Sequence, residues 1–186
     1  MKKLMTILLI SMLCVAFVAT FTTKEVGAEG KETWIDKEYV DICEDVGKHY
    51  HVSPELLEAI IETESSGEQY ANNGECKGLC QIYADVHGVR MARLGITDIY
   101  DPKSNIKLAA DILAECYKAY GDDTMMVLML YNGTAHAKQR AEGGDFSDYA
   151  RKVSKRAYEL EGVHNKHNYS KYCRNPWILE QRFKED

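Results

Sequence analysis

Glu64 is the residue best placed in this sequence to act as an acid and a base. It follows the apolar residues Leu56, Leu57, Ile60 and Ile61 and directly precedes Ser65, Ser66 and Gly67. That spacing puts it at the C-terminal end of a helix with a buried face, where the chain turns into a loop. A carboxyl group beside a buried helix end is partly desolvated, which disfavours its charged form and raises its pKa toward the range useful to a general acid. Spacing alone leaves open the alternative of an ordinary glutamate fraying into solvent. Glu62 is the competing carboxylate, but two residues earlier means about 200° around the helix, so it points away. Other constellations are weaker. His164, His167 and Cys173 lack the spacing of an established zinc site, and no metal is expected. No cysteine carries the local signature of a catalytic nucleophile. His87 and His136 read as surface or groove-edge residues.

The elements that must position Glu64 are legible as helices. Tyr39, Val40, Ile42, Cys43, Val46 and Tyr50 recur at mostly helical spacing, predicting a first helix that ends near Lys48. Ser53 as N-cap and Pro54 at the first helical position open the helix that carries Glu64. Gly67 and the polar stretch 68–75 predict a loop or irregular ribbon. A short helix through Val89 to Leu94 is stopped by Gly95. Asp101-Pro102 opens a longer one, with Ile106, Ala109, Ala110, Ile112, Leu113, Cys116 and Tyr117 inward and Gly121 as its stop. Residues 124–130 are almost continuously apolar, as in a helix through the centre of a core. Ser147 caps a last helix carrying Tyr149, Val153, Ala157 and Leu160.

With 186 residues, 45% hydrophobic and 28% charged, the chain suits one compact domain. Three segments are expected: a signal peptide or N-terminal membrane anchor over 1–28, a catalytic or binding domain over 29–162, and a polar tail over 163–186. The N-terminal expectation rests on Lys2-Lys3, the apolar run Leu4 to Phe21 and the small residues Val26-Gly27-Ala28, a pattern that places the domain outside the cytoplasm. Without residues 1–28 the chain has 20 basic against 28 acidic residues, a net charge of −8. Such a balance argues against nucleic acid as a partner, and favours a shaped groove that binds through hydrogen bonds and aromatic contacts. Five cysteines, at 43, 76, 80, 116 and 173, lie beyond the N-terminal segment, so at least one is unpaired in any intramolecular scheme.

Four stretches together carry a resemblance. Ile60-Ile61-Glu62-Thr63-Glu64-Ser65, Gly78-Leu79-Cys80-Gln81-Ile82, Asp101-Pro102 with Asn105-Ile106, and Tyr131-Asn132-Gly133 follow in the order seen in the soluble lytic transglycosylases, relatives of goose-type lysozymes. The likeness covers about 42–160. It implies a mainly α, lysozyme-like (α+β) fold: a single compact helical domain with a glycan-binding groove. It also implies a peptidoglycan lytic transglycosylase that needs no cofactor. In that reading Glu64 is the sole catalytic carboxylate, and Ser65, Gln81, Tyr131, Asn132 and Tyr149 support catalysis or line the sugar groove. The implied ligand is the peptidoglycan glycan strand. The protein is expected to be a monomer, with a cell-wall or secretion-machinery protein as the class of partner.

The sequence departs from the family pattern where Cys80 replaces the usual methionine, where Tyr83-Ala84-Asp85 replaces a segment that commonly holds proline, and where Cys116 replaces a bulky apolar residue. Against that pattern the two cysteines imply a Cys80–Cys116 disulfide, with Cys43–Cys76 as the companion pair and Cys173 free. The resemblance further implies that Glu64 protonates the bridging oxygen of a MurNAc-β-1,4-GlcNAc bond and then takes the proton from the 6-hydroxyl of the same muramic acid, closing a 1,6-anhydro ring. Two alternatives stand beside it. One is a hydrolytic muramidase on the same fold, assisted by Glu75 or Asp85. The other is a non-catalytic glycan-binding or assembly-scaffold protein.

Overall fold

The computed structural model describes residues 31–164. The expected signal or anchor segment lies outside these residues, as do His167 and Cys173 of the tail. Seven α-helices and one small ribbon follow in the order α1 (Lys37–Tyr50), α2 (Pro54–Glu64), β1 (Cys76–Lys77), β2 (Ile82–Tyr83), a 3-10 turn (Ala84–Val86), α3 (Gly88–Leu94), α4 (Pro102–Tyr120), α5 (Thr124–Tyr131), α6 (Ala137–Glu142) and α7 (Asp148–Val163). The domain is mainly helical, as the resemblance implies.

The helices begin where side-chain acceptors meet orphan backbone N–H groups. Ser53 Oγ accepts from Leu56 N, and Asp101, Asp123 and Ser147 accept from Ser104, Met126 and Ala150 N respectively. Each such cap contributes about 1 kcal/mol. α1 runs to Tyr50, two residues past the expected end, and stops at His51 in the left-handed region (φ 57). The turn into α2 depends on Gly47, where a Cβ would stand 2.6 Å from the Val52 carbonyl.

Two helices form the centre. α5 is buried from Thr124 to Met129, in agreement with its all-round apolar sequence. α2 is buried from Pro54 to Glu62 and packs between α1 and α7. Its buried face includes a stripe the apolar pattern does not reveal, Glu55, Glu58 and Glu62, at spacings of three and four residues. Glu55 lies 3.2 Å from His164 Nδ1 and accepts from Ser53 Oγ. Glu62 accepts from Arg156 Nε at 2.6 Å and Nη2 at 3.0 Å, and from Thr33 Oγ1 at 2.7 Å. Glu62 is thus a structural carboxylate that ties α2 to α7 and to the segment before α1.

Two short features escape sequence periodicity. The ribbon pairs Cys76 with Tyr83 and Lys77 with Ile82 in antiparallel register, and its two-residue strands are too brief to show alternation. α6 has six residues and buries only Ala137 and Ala141, so it too lacks a readable stripe.

The expected disulfides are not formed: Cys43, Cys76, Cys80 and Cys116 are all free thiols. Each expected pair would join a thiol sealed in the core, Cys43 or Cys80, to a half-exposed one in a different setting. Cys76 neighbours Glu64, whereas Cys116 neighbours Glu115 and Arg90. Cys80 serves instead as a small apolar residue filling the core.

Candidate active site

Glu64 is the last residue of α2, and the chain leaves the helix abruptly after it. Ser65 N–H donates to the Ile61 carbonyl, Ser65 Oγ donates to the same carbonyl at 3.2 Å, and Ser65 Oγ in turn accepts from Gly67 N–H at 3.2 Å. The Ser65 hydroxyl is therefore engaged in ending the helix. Gly67 (φ 84) packs on Ile35, so the segment before α1 braces the turn that follows Glu64.

Glu64 opens onto a cleft of about 390 Å³, bounded by the ribbon, the 3-10 turn, α4 and the C-terminal end of α5. Gln81, Tyr131 and Asn132 line it with Glu64, so four of the residues expected at the site meet there. Among the described residues, Glu64 is the one carboxylate in this lining. Glu75 and Asp85 are exposed and stand outside it. Tyr83 and Val86 are 40% and 64% exposed and give the cleft an apolar wall open to solvent.

The ribbon's turn is held by a residue to which sequence reasoning gave no role. Asn105 of α4 is fully buried; its Oδ1 accepts from Cys80 N–H at 2.8 Å and its Nδ2 donates to the Lys77 and Ile99 carbonyls at 3.1 and 2.9 Å. Gly78 (φ 78) permits that approach, since a Cβ there would stand 2.8 Å from Asn105 Cγ. Gln81 follows in the left-handed region (φ 46), with Nε2 donating to the Ala71 and Gly78 carbonyls. These bonds turn Gln81 back on its own loop while leaving it on the cleft wall. The signal in the sequence was Asn105 itself, a polar residue on the inward stripe of a helix.

Two tyrosines stand around Glu64 with different tasks. Tyr131 Oη donates to the Cys80 carbonyl at 2.8 Å, tying the end of α5 to the turn. Burial pushes its phenol well above the ordinary pKa, with the Glu64 charge nearby acting the same way. Tyr149, on α7 behind the cleft, has a buried hydroxyl that makes no hydrogen bond of ordinary geometry; the polar group it faces is the Glu64 carboxyl. Burial raises the pKa of Glu64, while Tyr149 and Lys152 pull it part of the way back. The C-terminal carbonyls of α2 also disfavour negative charge at that position. Asn132 is exposed, and its backbone N–H closes the end of α5.

This arrangement presents one partly desolvated acid in an open cleft with amide and apolar walls. The sequence pattern of the transglycosylase SLT domain matches residues 41–153, well over half the chain. The chain belongs to the transglycosylase SLT-domain family. Relatives of this SLT domain include a transglycosylase of Enterobacteria phage PRD1, 32% identical over 114 residues, which cover 61% of this chain and 40% of the relative. Another is the membrane-bound lytic murein transglycosylase E of Buchnera aphidicola, 29% identical over 114 residues, covering 53% of this chain and 52% of the relative. The chain thus spans about half or less of the length of these two relatives. The SLT match takes in Glu64, the ribbon with Gln81, Asn105, Tyr131 and Tyr149.

Proposed function

We propose that this SLT domain is a peptidoglycan lytic transglycosylase that cleaves the MurNAc-β-1,4-GlcNAc bond and leaves 1,6-anhydro-muramic acid ends. The observation that carries the reading is the single carboxylate of the cleft. A two-carboxylate glycosidase needs a second Asp or Glu to activate water or attack the sugar. Glu64 is the one carboxylate in the cleft lining among the described residues, and the two acids that could assist a hydrolase, Glu75 and Asp85, lie outside it. One acid suffices if the substrate supplies the nucleophile. Burial raises the Glu64 pKa and so favours the acid form, which gives its proton to the glycosidic oxygen; the resulting carboxylate then accepts the proton of the muramic acid 6-hydroxyl as that oxygen closes on C1. Tyr149 stabilises the carboxylate at this second stage. Gln81 offers its amide oxygen and Asn132 its amide group to the sugars, Tyr83 and Val86 an apolar surface, and Tyr131 holds the wall in place. The names of the two relatives, both transglycosylases and one membrane-bound, agree with action on the wall outside the cytoplasm.

Glu64→Gln keeps the size of the side chain but cannot deliver or take the proton, so cleavage of purified peptidoglycan falls at least about a hundredfold while the strand still binds. Glu62→Gln is the control, because its carboxylate faces Arg156 and not the cleft. It lowers the melting temperature, as removal of one partner from a buried ion pair costs about 3 kcal/mol or more, and the folded protein still cleaves. Cleavage retained in Glu64→Gln and lost in folded Glu62→Gln would overturn the assignment.

A further inference from the structure

We propose that His87 is a substrate-contacting residue of the cleft, a neutral imidazole that hydrogen-bonds the glycan strand and sets the lower pH limit of strand binding. The proposal rests on the reading of the cleft as a glycan site and adds a specificity residue to it. His87 lies at the junction of the 3-10 turn and α3, half-buried, and lines the cleft together with Glu64, Tyr83, Val86 and Ile112. Its backbone is fixed on both sides: its N–H donates to the Ala84 carbonyl at 3.0 Å, and its carbonyl accepts from Met91 N–H at 2.8 Å. No protein side chain accepts from or donates to its ring within hydrogen-bond distance among the described residues, so the ring nitrogens are free for a ligand.

The surroundings fix this imidazole in place and favour its neutral form. Arg90, one turn along α3, is clamped by Asp111 and Glu115 of α4, and Arg93 adds a second bond to Asp111 at 2.6 Å. The clamp staples the start of α3 to the helix that brings Ile112 to the cleft. Burial and the Arg90 charge pull the His87 pKa below the ordinary histidine range, with Glu115 acting in the opposite direction. Asp111 and Lys107 of α4 and Arg93 of α3 are the further charged groups where these helices pack, Glu64 of α2 lines the same cleft, and Asp85 on the preceding turn is exposed. At neutral pH the ring therefore has one donor and one acceptor nitrogen, a match for sugar hydroxyl and N-acetyl groups, which contain both. Protonation turns the acceptor into a second donor beside Arg90, and a hydroxyl donor of the strand loses its partner.

The test uses the full chain with soluble peptidoglycan strands, reading KM and kcat against pH. His87→Ala is expected to raise KM about tenfold at pH 7 with kcat within about twofold, and His87→Gln, which keeps a donor and an acceptor, restores most of the affinity. In the wild type KM rises as pH falls through the His87 pKa. Glu115→Gln, a change at an exposed side chain, moves that limb to lower pH, and Arg90→Gln moves it to higher pH; both limbs vanish in His87→Gln. An unchanged KM in His87→Ala, or a limb that stays put in both charge variants, overturns the inference even though the wild type cleaves. If the wild type neither binds nor cleaves the strands, the glycan reading itself fails, and His87 with it.

Discussion

Glu64 sits between influences of opposite sign. Burial and the end of α2 favour its neutral form; Tyr149 and Lys152 favour its charged form. An acid that must donate first and accept afterwards is served by influences of both signs. The sign of the balance can be measured. Activity requires the protonated acid, so kcat/KM falls as pH rises through the raised pKa of Glu64. Tyr149→Phe removes a contact that lowers this pKa, so the falling limb shifts to higher pH, and the maximal rate drops about tenfold or more because the second-stage carboxylate loses its partner. A limb left in place by Tyr149→Phe would reduce Tyr149 to a packing residue. Position alone identified Glu64 as a candidate in the sequence, and the family pattern chose between acid and frayed helix end. The partner roles were less legible: Tyr131 bonds a backbone carbonyl, while Tyr149 faces the acid, a distinction that depends on how α5 and α7 pack and not on spacing along either.

At the scale of elements, the site is a helix end set against a turn. α2 delivers Glu64, and the turn between β1 and β2 delivers Gln81, pinned by Asn105 from α4 and by Tyr131 from α5. Caps and apolar stripes made the long helices readable, because Ser53, Asp101 and Ser147 act locally. The ribbon was not readable, because its shape is imposed by a side chain 25 residues away from Cys80 in the sequence. Asn105→Ala strands the buried Cys80 N–H together with two carbonyls, so we expect a loss of about 2–3 kcal/mol in stability by denaturant melting and weaker strand binding as the turn loosens. Asn105→Asp keeps the acceptor for Cys80 N–H but sets a buried carboxylate oxygen against two carbonyl oxygens, and should destabilise at least as much as Asn105→Ala. A melt unchanged in Asn105→Ala would show that the turn holds itself. The disulfide expectation failed at this scale as well. It treated cysteines as replacements for core residues and paired them on that ground, whereas Cys43 on α1 and Cys80 in the ribbon's turn are buried and Cys76 on β1 and Cys116 on α4 are half-exposed.

Across the described residues, the acidic side chains lie in different settings, many at the surface and some buried in the core. Glu55, Glu58 and Glu62 are buried along one stripe of α2, with Glu62 fastened to Arg156 of α7, while Glu64 alone turns into the cleft. Composition showed only an excess of acid; the fold determines which carboxylate meets a ligand. With one carboxylate in the cleft and the nucleophile supplied by the substrate, the products record whether water takes part. The direct measurement is digestion of purified peptidoglycan by the wild-type protein in heavy-oxygen water, followed by mass analysis of the new muramic acid ends. Ring closure predicts non-reducing ends, about 18 mass units lighter than hydrolysed ends and free of the heavy isotope. Reducing ends that carry the isotope would contradict the account and make the protein a hydrolase.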